Sequence, residues 1–338
     1  MKKLLSLIIT FLFVVNIQVL ASDIDILATM HSRSNAQDKV WVGTFQLVWN
    51  DFMDKIIHDI VRFREGNPDI LKELNLQSFT TDDLSNKAYY KITEKIKNNT
   101  KRKIETTIAK KFNETSDILD QLDLTPAKNR FIIYAMLKKD FEFENEFDKL
   151  GTAPFGQELT AEYFGIDNHT DKSVKEGVKV LFYNSPTDYA VVLNTKDNDE
   201  VYLYKNGANK PFSYLYRDMN EKTALYRGNK NMTNVDELMV PNIKFFSEKS
   251  FDEVTDKRIM GTNYVIDQAL ETVKFNMDNK GVQLKSEAAM TVMLTSAGPM
   301  QEVPRHFYFD DTFVIFLKEK GKNNPYFALR VYDIRKFQ

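Results

Sequence analysis

The chain has 338 residues, with 46 basic against 48 acidic side chains and no cysteine. Near-balanced charge, with no basic run interleaved with aromatics beyond Lys101-Arg102-Lys103, argues against a nucleic-acid partner. The absence of cysteine excludes a disulfide framework, so the fold has to rest on its apolar core, which this length permits.

The first residues, Met1-Lys2-Lys3, lead into an apolar run from Leu4 to Val15, and Val19-Leu20-Ala21 stands before Ser22. This pattern reads as a secretory signal peptide over residues 1–21. Asn16 and Gln18 interrupt a run already short for a spanning helix, which wants about 20 apolar residues. The expectation is a secreted or periplasmic protein that is free of the membrane after signal cleavage, with one domain over residues 22–338.

From Phe45 onward, Leu47, Val48, Trp49, Phe52, Met53, Ile56, Ile57, Ile60, Val61 and Phe63 recur mostly at spacings of three and four, which predicts an amphipathic helix stopped by Gly66-Asn67-Pro68. Residues 84–122, rich in Lys, Glu, Asn and Ile, predict one or two further helices. Thr115 or Ser116 is placed to cap a last turn at Ile118-Leu119.

Beyond residue 128 the texture changes. Phe131–Leu137 is a continuous apolar run of strand length, expected to be buried on both faces at the centre of the largest sheet. Strands follow at Val178–Tyr183, Tyr189–Asn194, Glu200–Tyr204, Glu237–Phe245 and Thr272–Met277. Phe313–Leu317 and Tyr326–Val331 flank the turn residues of "KEKGKNNP" and read as a hairpin. Helices first and strands second indicate α+β.

Little here points to catalysis. The four histidines, His31, His58, His169 and His306, are isolated, and no phosphate loop, dinucleotide motif or nucleophile elbow occurs. Glu142, Glu144, Glu146 and Asp148 read as a solvated charged face. An enzyme is not expected, nor a metal or other cofactor.

One stretch stands apart: the thirteen residues from Ala288 to Met300 carry no charge. They suit either an ordinary buried strand, Ala289–Leu294, ending in a Ser-Ala-Gly-Pro turn, or a loop able to become a strand inside an existing sheet.

The flanking residues resemble the serpin family of serine protease inhibitors. "ALETVKFNMDNKG" is similar to the segment leading to the family's Asp-Glu-x-Gly signature, and "SEAAMT" to its alanine-rich hinge. "VPRHFYFDDTFVIFLKEKGKNNPYFALRV" resembles its closing pattern. Upstream, Lys138, Phe147, Asp148, Ala153, Pro154 and Phe155 match its pattern after the central strand, as do Pro241, Lys244 and Phe245 further on. The likeness covers roughly residues 105–338, with residues 22–104 a divergent helical part. Lys139 and Phe141 stand where the family has Gly and Trp.

The resemblance implies a serpin-like fold: N-terminal helices on a large mixed sheet, smaller C-terminal sheets and an exposed reactive-type loop. It implies a monomeric, non-catalytic inhibitor of a serine or cysteine protease that acts by loop cleavage and sheet insertion, or a non-inhibitory binding or structural protein on the same scaffold. By the same likeness Gly281, Glu287, Ala288, Ala289 and Thr291 form the hinge, while Thr295, Ser296, Ala297, Gly298, Pro299 and Met300 contact the protease. Counting from Gly281 places the scissile residue near Thr295, and counting from Glu287 near Pro299, so the target protease is left open. Arg305 matches a family element after the loop and reads as structural.

Overall fold

Apolar runs of strand length and short turns dominate this chain, and sheets dominate its structure. The computed structural model describes residues 24–127, 129–282 and 304–338. The first part holds β1 (Asp25–Leu27), β2 (Lys39–Val42), α1 (Thr44–Phe52, extended by a π-helical turn Met53–Ile57), α2 (Asp69–Leu74), β3 (Tyr89–Lys95) and α3 (Thr100–Phe112). There follow β4 (Phe131–Leu137), β5 (Phe141–Glu142), β6 (Asp148–Phe155), β7 (Leu159–Ile166), α4 (Lys172–Glu176), β8 (Val178–Ser185), β9 (Asp188–Asn194) and β10 (Asp199–Lys205). The last part holds α5 (Phe212–Leu225), β11 (Glu237–Pro241), β12 (Ile243–Ser250), β13 (Leu270–Met277), β14 (Gly281–Val282), β15 (His306–Tyr308), β16 (Phe313–Glu319) and β17 (Phe327–Val331).

The largest sheet has seven strands in the order β1-β2-β17-β16-β10-β9-β8, antiparallel except where β1 meets β2. Its central strands are buried on both faces, since Phe313–Leu317 and Ala190–Leu193 are nearly inaccessible. The hairpin β16–β17 forms as expected, and Gly321 supplies the left-handed conformation of its turn at φ 78°. Two four-stranded sheets, β15-β11-β7-β6 and β12-β13-β14-β5, and a pair, β3-β4, complete the α+β fold.

Four expectations are corrected. The first helix stops early: His58 turns left-handed (φ 60°) and its N–H closes on the Met53 carbonyl, after which the chain runs irregularly to a bridge between Phe63 and Ile259. The first half of residues 84–122 is the strand β3, so residues 24–104 contribute three strands besides α1 and α2. Tyr90 and Ile92 turn one face of β3 towards α3, and all seven of its residues pair with β4, which outweighs the helical propensity of its lysines and glutamate. The stretch Glu237–Phe245 splits at Asn242, β11 pairing with β7 and β15 while β12 pairs with β13.

The fourth correction matters for function. Phe131–Leu137 is a strand, but it lies outside the largest sheet and, among the described residues, is paired on one edge only, by β3. Ile132 and Tyr134 are buried, packing with Ile96, Ile104, Ile108 and Leu119 beneath α3, while the other residues of the strand are half-buried. Ser116 caps the turn at Ile118 and Leu119, its Oγ accepting both N–H groups at 3.3 and 3.2 Å.

Candidate functional site

The free edge of β4 faces β13, and no backbone pair joins the two strands among the described residues. Between them lies a cleft of about 450 Å³, also lined by Phe45, Val48, Trp49 and Phe52 of α1. Both walls start at the same end. There Arg130, just before β4, donates to Asp123 at 2.6 Å and to Asp267, just before β13, and the Phe131 and Tyr264 rings meet edge to face. Gln268 adds a second tie, its Oε1 accepting the Asp123 N–H at 2.7 Å.

At the other end the gap holds a single strand. After Met277 the chain turns at Asp278-Asn279-Lys280 and re-enters as β14, antiparallel to β13 on one side and to β5 on the other. The turn is held by the Phe143 and Phe147 N–H groups, which donate to the Lys280 and Asn279 carbonyls at 2.8 and 2.9 Å. Gly281 is required by close approach: a Cβ there would lie 2.4 Å from the Phe141 carbonyl oxygen and 2.7 Å from Glu142 Cα. Val282 beside it is 4% exposed and points into the core.

Helix α1 is tied to both sides of the cleft by carboxylates. At its start, Glu271 of β13 accepts from Thr44 Oγ1 at 2.6 Å and from the Phe45 N–H at 3.3 Å, while its Oε2 has no partner among the described residues. Burial pushes this carboxyl up to about 8, against the smaller opposing effects of those hydrogen bonds and of Lys249. At the end of α1, Asp51 accepts from Lys55 at 2.5 Å and from Lys91 and Thr93 of β3 at 2.6 and 2.9 Å. Burial works against ionisation of Asp51, but these donors outweigh it and hold its pKa below the ordinary value.

A third tie fixes the bend between β4 and β5. Lys139 Nζ lies 2.9 Å from Asp199 and 2.5 Å from Glu319, on β10 and β16 of the large sheet, and 5.0 Å from the centre of the Tyr326 ring. Tyr326 donates to Asp199 at 2.8 Å. Burial raises the Asp199 carboxyl despite the lysine, whereas for Glu319 burial is outweighed by Lys139 and the Ser85 N–H, and its pKa falls.

Of the residues expected from the sequence, Gly281 pairs with Glu142 of β5 and precedes Val282, which lines the cleft. Glu287, Ala288, Ala289, Thr291, Thr295, Ser296, Ala297, Gly298, Pro299 and Met300 lie outside the described residues, as do residues 1–21, expected from the sequence to be a signal peptide. Arg305 is fixed in the fold by Asp236 at 2.6 Å and by the Asn229 and Asn231 carbonyls at 2.7 and 2.8 Å. Glu271 and Asp51 carried no signal in the sequence, because each is one acid among 48 until the fold buries it. No helix of the described residues is long and apolar enough to cross a membrane.

No family model matches the sequence, and no curated protein matches it significantly. Solved structures do match. The chain is similar to Serpin48, a highly specific serpin of the insect Tenebrio molitor, at 14% identity and a TM-score of 0.50, over 87% of this chain and 91% of that one. It is also similar to the thermophilic serpin tengpin in its native state, at 15% identity and a TM-score of 0.50, over 70% of this chain and 64% of that one. The chain therefore has a divergent serpin-like fold, with the sequence likeness and the structural likeness in agreement.

Proposed function

We propose that this chain is an exported serpin-type inhibitor of a serine or cysteine protease, cut in the segment that follows Gly281 and trapping its target as that segment enters the cleft between β13 and β4. The supporting observation is β14: its two residues already occupy the place of one strand between β13 and β5.

Register extends the argument. Gly281 pairs with Glu142 and Val282 with Phe141, so the same antiparallel pairing carried on without a bulge would bring Ser286 opposite Leu137 and Val292 opposite Phe131. Strand side chains alternate between faces. With Val282 pointing inward, Leu284, Ser286, Ala288, Met290 and Val292 would follow it into the core. Gln283, Lys285, Glu287, Ala289 and Thr291 would face out. All charge falls on one side and nearly all apolar bulk on the other. Each inserted residue has to overcome an ordering cost of about 1–2 kcal/mol, so pairing with both walls along the segment is what makes the product stable.

Incubation with elastase-, subtilisin- and trypsin-like proteases tests the reading: an SDS-stable complex is expected with at least one of them. Cleaved protein should melt well above intact protein. Met290→Asp, which would bury a carboxylate, should abolish that rise, and the outward Thr291→Asp should keep it. Cleavage without any rise in the parent chain would overturn insertion and leave a non-inhibitory binding or structural protein on this fold. Export follows from residues 1–21, and the mass of natural protein starting at Ser22 checks it.

A further inference from the structure

The inner face of β13 carries Glu271, Val273, Phe275 and Met277, alternate residues that are all buried. Three are apolar, and Glu271 interrupts them with a carboxyl in a residue only 4% exposed. Its Oε1 holds Thr44 Oγ1 and the Phe45 N–H, while its Oε2 has no partner among the described residues. A buried oxygen left without a donor is unfavourable, and Glu271 lines the cleft between β13 and β4, from which a donor could reach it.

The rest of the lining selects the chemistry of that donor. Ile133 and Leu137 of β4 with Val48, Trp49 and Phe52 of α1 give the cleft apolar and aromatic walls. Among the described residues that line it, Arg130 is matched by Asp123 and Asp267, Lys138 by Glu114, and Lys139 by Asp199 and Glu319, while Lys274 is exposed. A ligand carboxylate would therefore meet Glu271 with no unpaired buried cation to hold it. A protonated amine would meet a carboxylate whose other oxygen is already satisfied, beside aromatic faces that attract cations. At about 450 Å³ the cleft has room for a small molecule.

We propose that the cleft binds a small lipophilic amine, with its apolar body between α1 and the two strands and its ammonium group on Glu271 Oε2. The inference concerns the intact protein and does not depend on cleavage or insertion. Burial raises this carboxyl to about 8, so it is protonated at neutral pH; the charged group that opposes the shift is Lys249, itself paired with Asp25 at 2.7 Å. An ammonium that docks on the carboxylate therefore expels its proton to solvent, a signature that apolar binding alone would not give.

Calorimetric titration of the intact mature protein with 1-naphthylmethylamine, 1-naphthalenemethanol and 1-naphthoic acid, which share one apolar body, tests it. At pH 8 the amine should bind about tenfold or more tighter than the alcohol or the acid. Titration at pH 7 in two buffers of different ionisation heat should show release of about one proton for each amine bound. The affinity for the amine should rise about tenfold from pH 6 to pH 7 and level off above pH 8. Glu271→Gln should abolish the proton release, flatten the pH dependence and bring the amine to the level of the alcohol. Val48→Phe, which narrows the cleft from α1, should weaken amine and alcohol alike. Equal affinity for the three probes, proton release unchanged in Glu271→Gln, or no binding of the amine at millimolar concentration would each overturn the proposal.

Discussion

Glu271 gives a prediction whose size follows from the structure. Its carboxyl is buried with one oxygen lacking a partner among the described residues, and burial raises its pKa from 4.5 to about 8. A folded value above the unfolded one means that the folded state holds the proton more tightly. The associated stability is fully present below pH 4.5 and is lost as pH rises towards 8. At about 1.4 kcal/mol per pH unit the whole interval is worth about 5 kcal/mol, and the part between pH 5 and pH 7 about 2–3 kcal/mol. Glu271→Gln removes this titration while leaving one acceptor for Thr44 and the Phe45 N–H. Urea unfolding of parent and variant at pH 5 and pH 7 is the assay. A fixed cost of burying the amide shifts both pH values equally and cancels in the comparison. The variant should therefore gain about 2–3 kcal/mol on the parent between pH 5 and pH 7. Parallel curves would refute the reasoning and show that the first turn of α1 stabilises an ionised Glu271 after all.

Three further outcomes are expected. Gly281→Ala should cost about 1–3 kcal/mol by forcing β14 away from β5, read as a lower melting temperature of the intact protein. Lys139→Met leaves Asp199 and Glu319 buried without their cation and should cost about 3–5 kcal/mol near neutral pH, with part of the loss recovered at pH 4 in urea titrations. Asp51→Asn should weaken the hold of α1 on Lys91 and Thr93, lowering the urea midpoint at pH 7 by an amount that shrinks as pH falls below the ordinary carboxylate value, because a depressed carboxyl loses its stabilising effect only as it takes up its proton.

Strands such as β9 and β16 were legible because they are buried on both faces, and uninterrupted runs such as Phe313–Leu317 have no competing period, whereas the more exposed β6 and the neighbouring β7 were not. Ser116 was legible as a cap for the same local reason. The strand β3 was not. Its sequence Tyr-Tyr-Lys-Ile-Thr-Glu-Lys has only Tyr90 and Ile92 to mark an inward face, and its pairing with β4 spans some forty residues. The motifs around Gly281 located one end of the cleft, but the cleft itself consists of pairing that β4 and β13 do not make, and a missing contact between distant segments leaves no trace in local pattern.

The two carboxylate ties of α1 set the resting width of the cleft. Thr44 and Asp51 are seven residues apart, about 10 Å along the helix, and each is bound to the opposite flank, Thr44 to β13 and Asp51 to the β3–β4 pair. The helix is thus a strut, and the walls cannot close on each other without breaking one of its ends. Among the described residues β4 and β13 share no ladder, so widening the gap between them breaks no strand pairing.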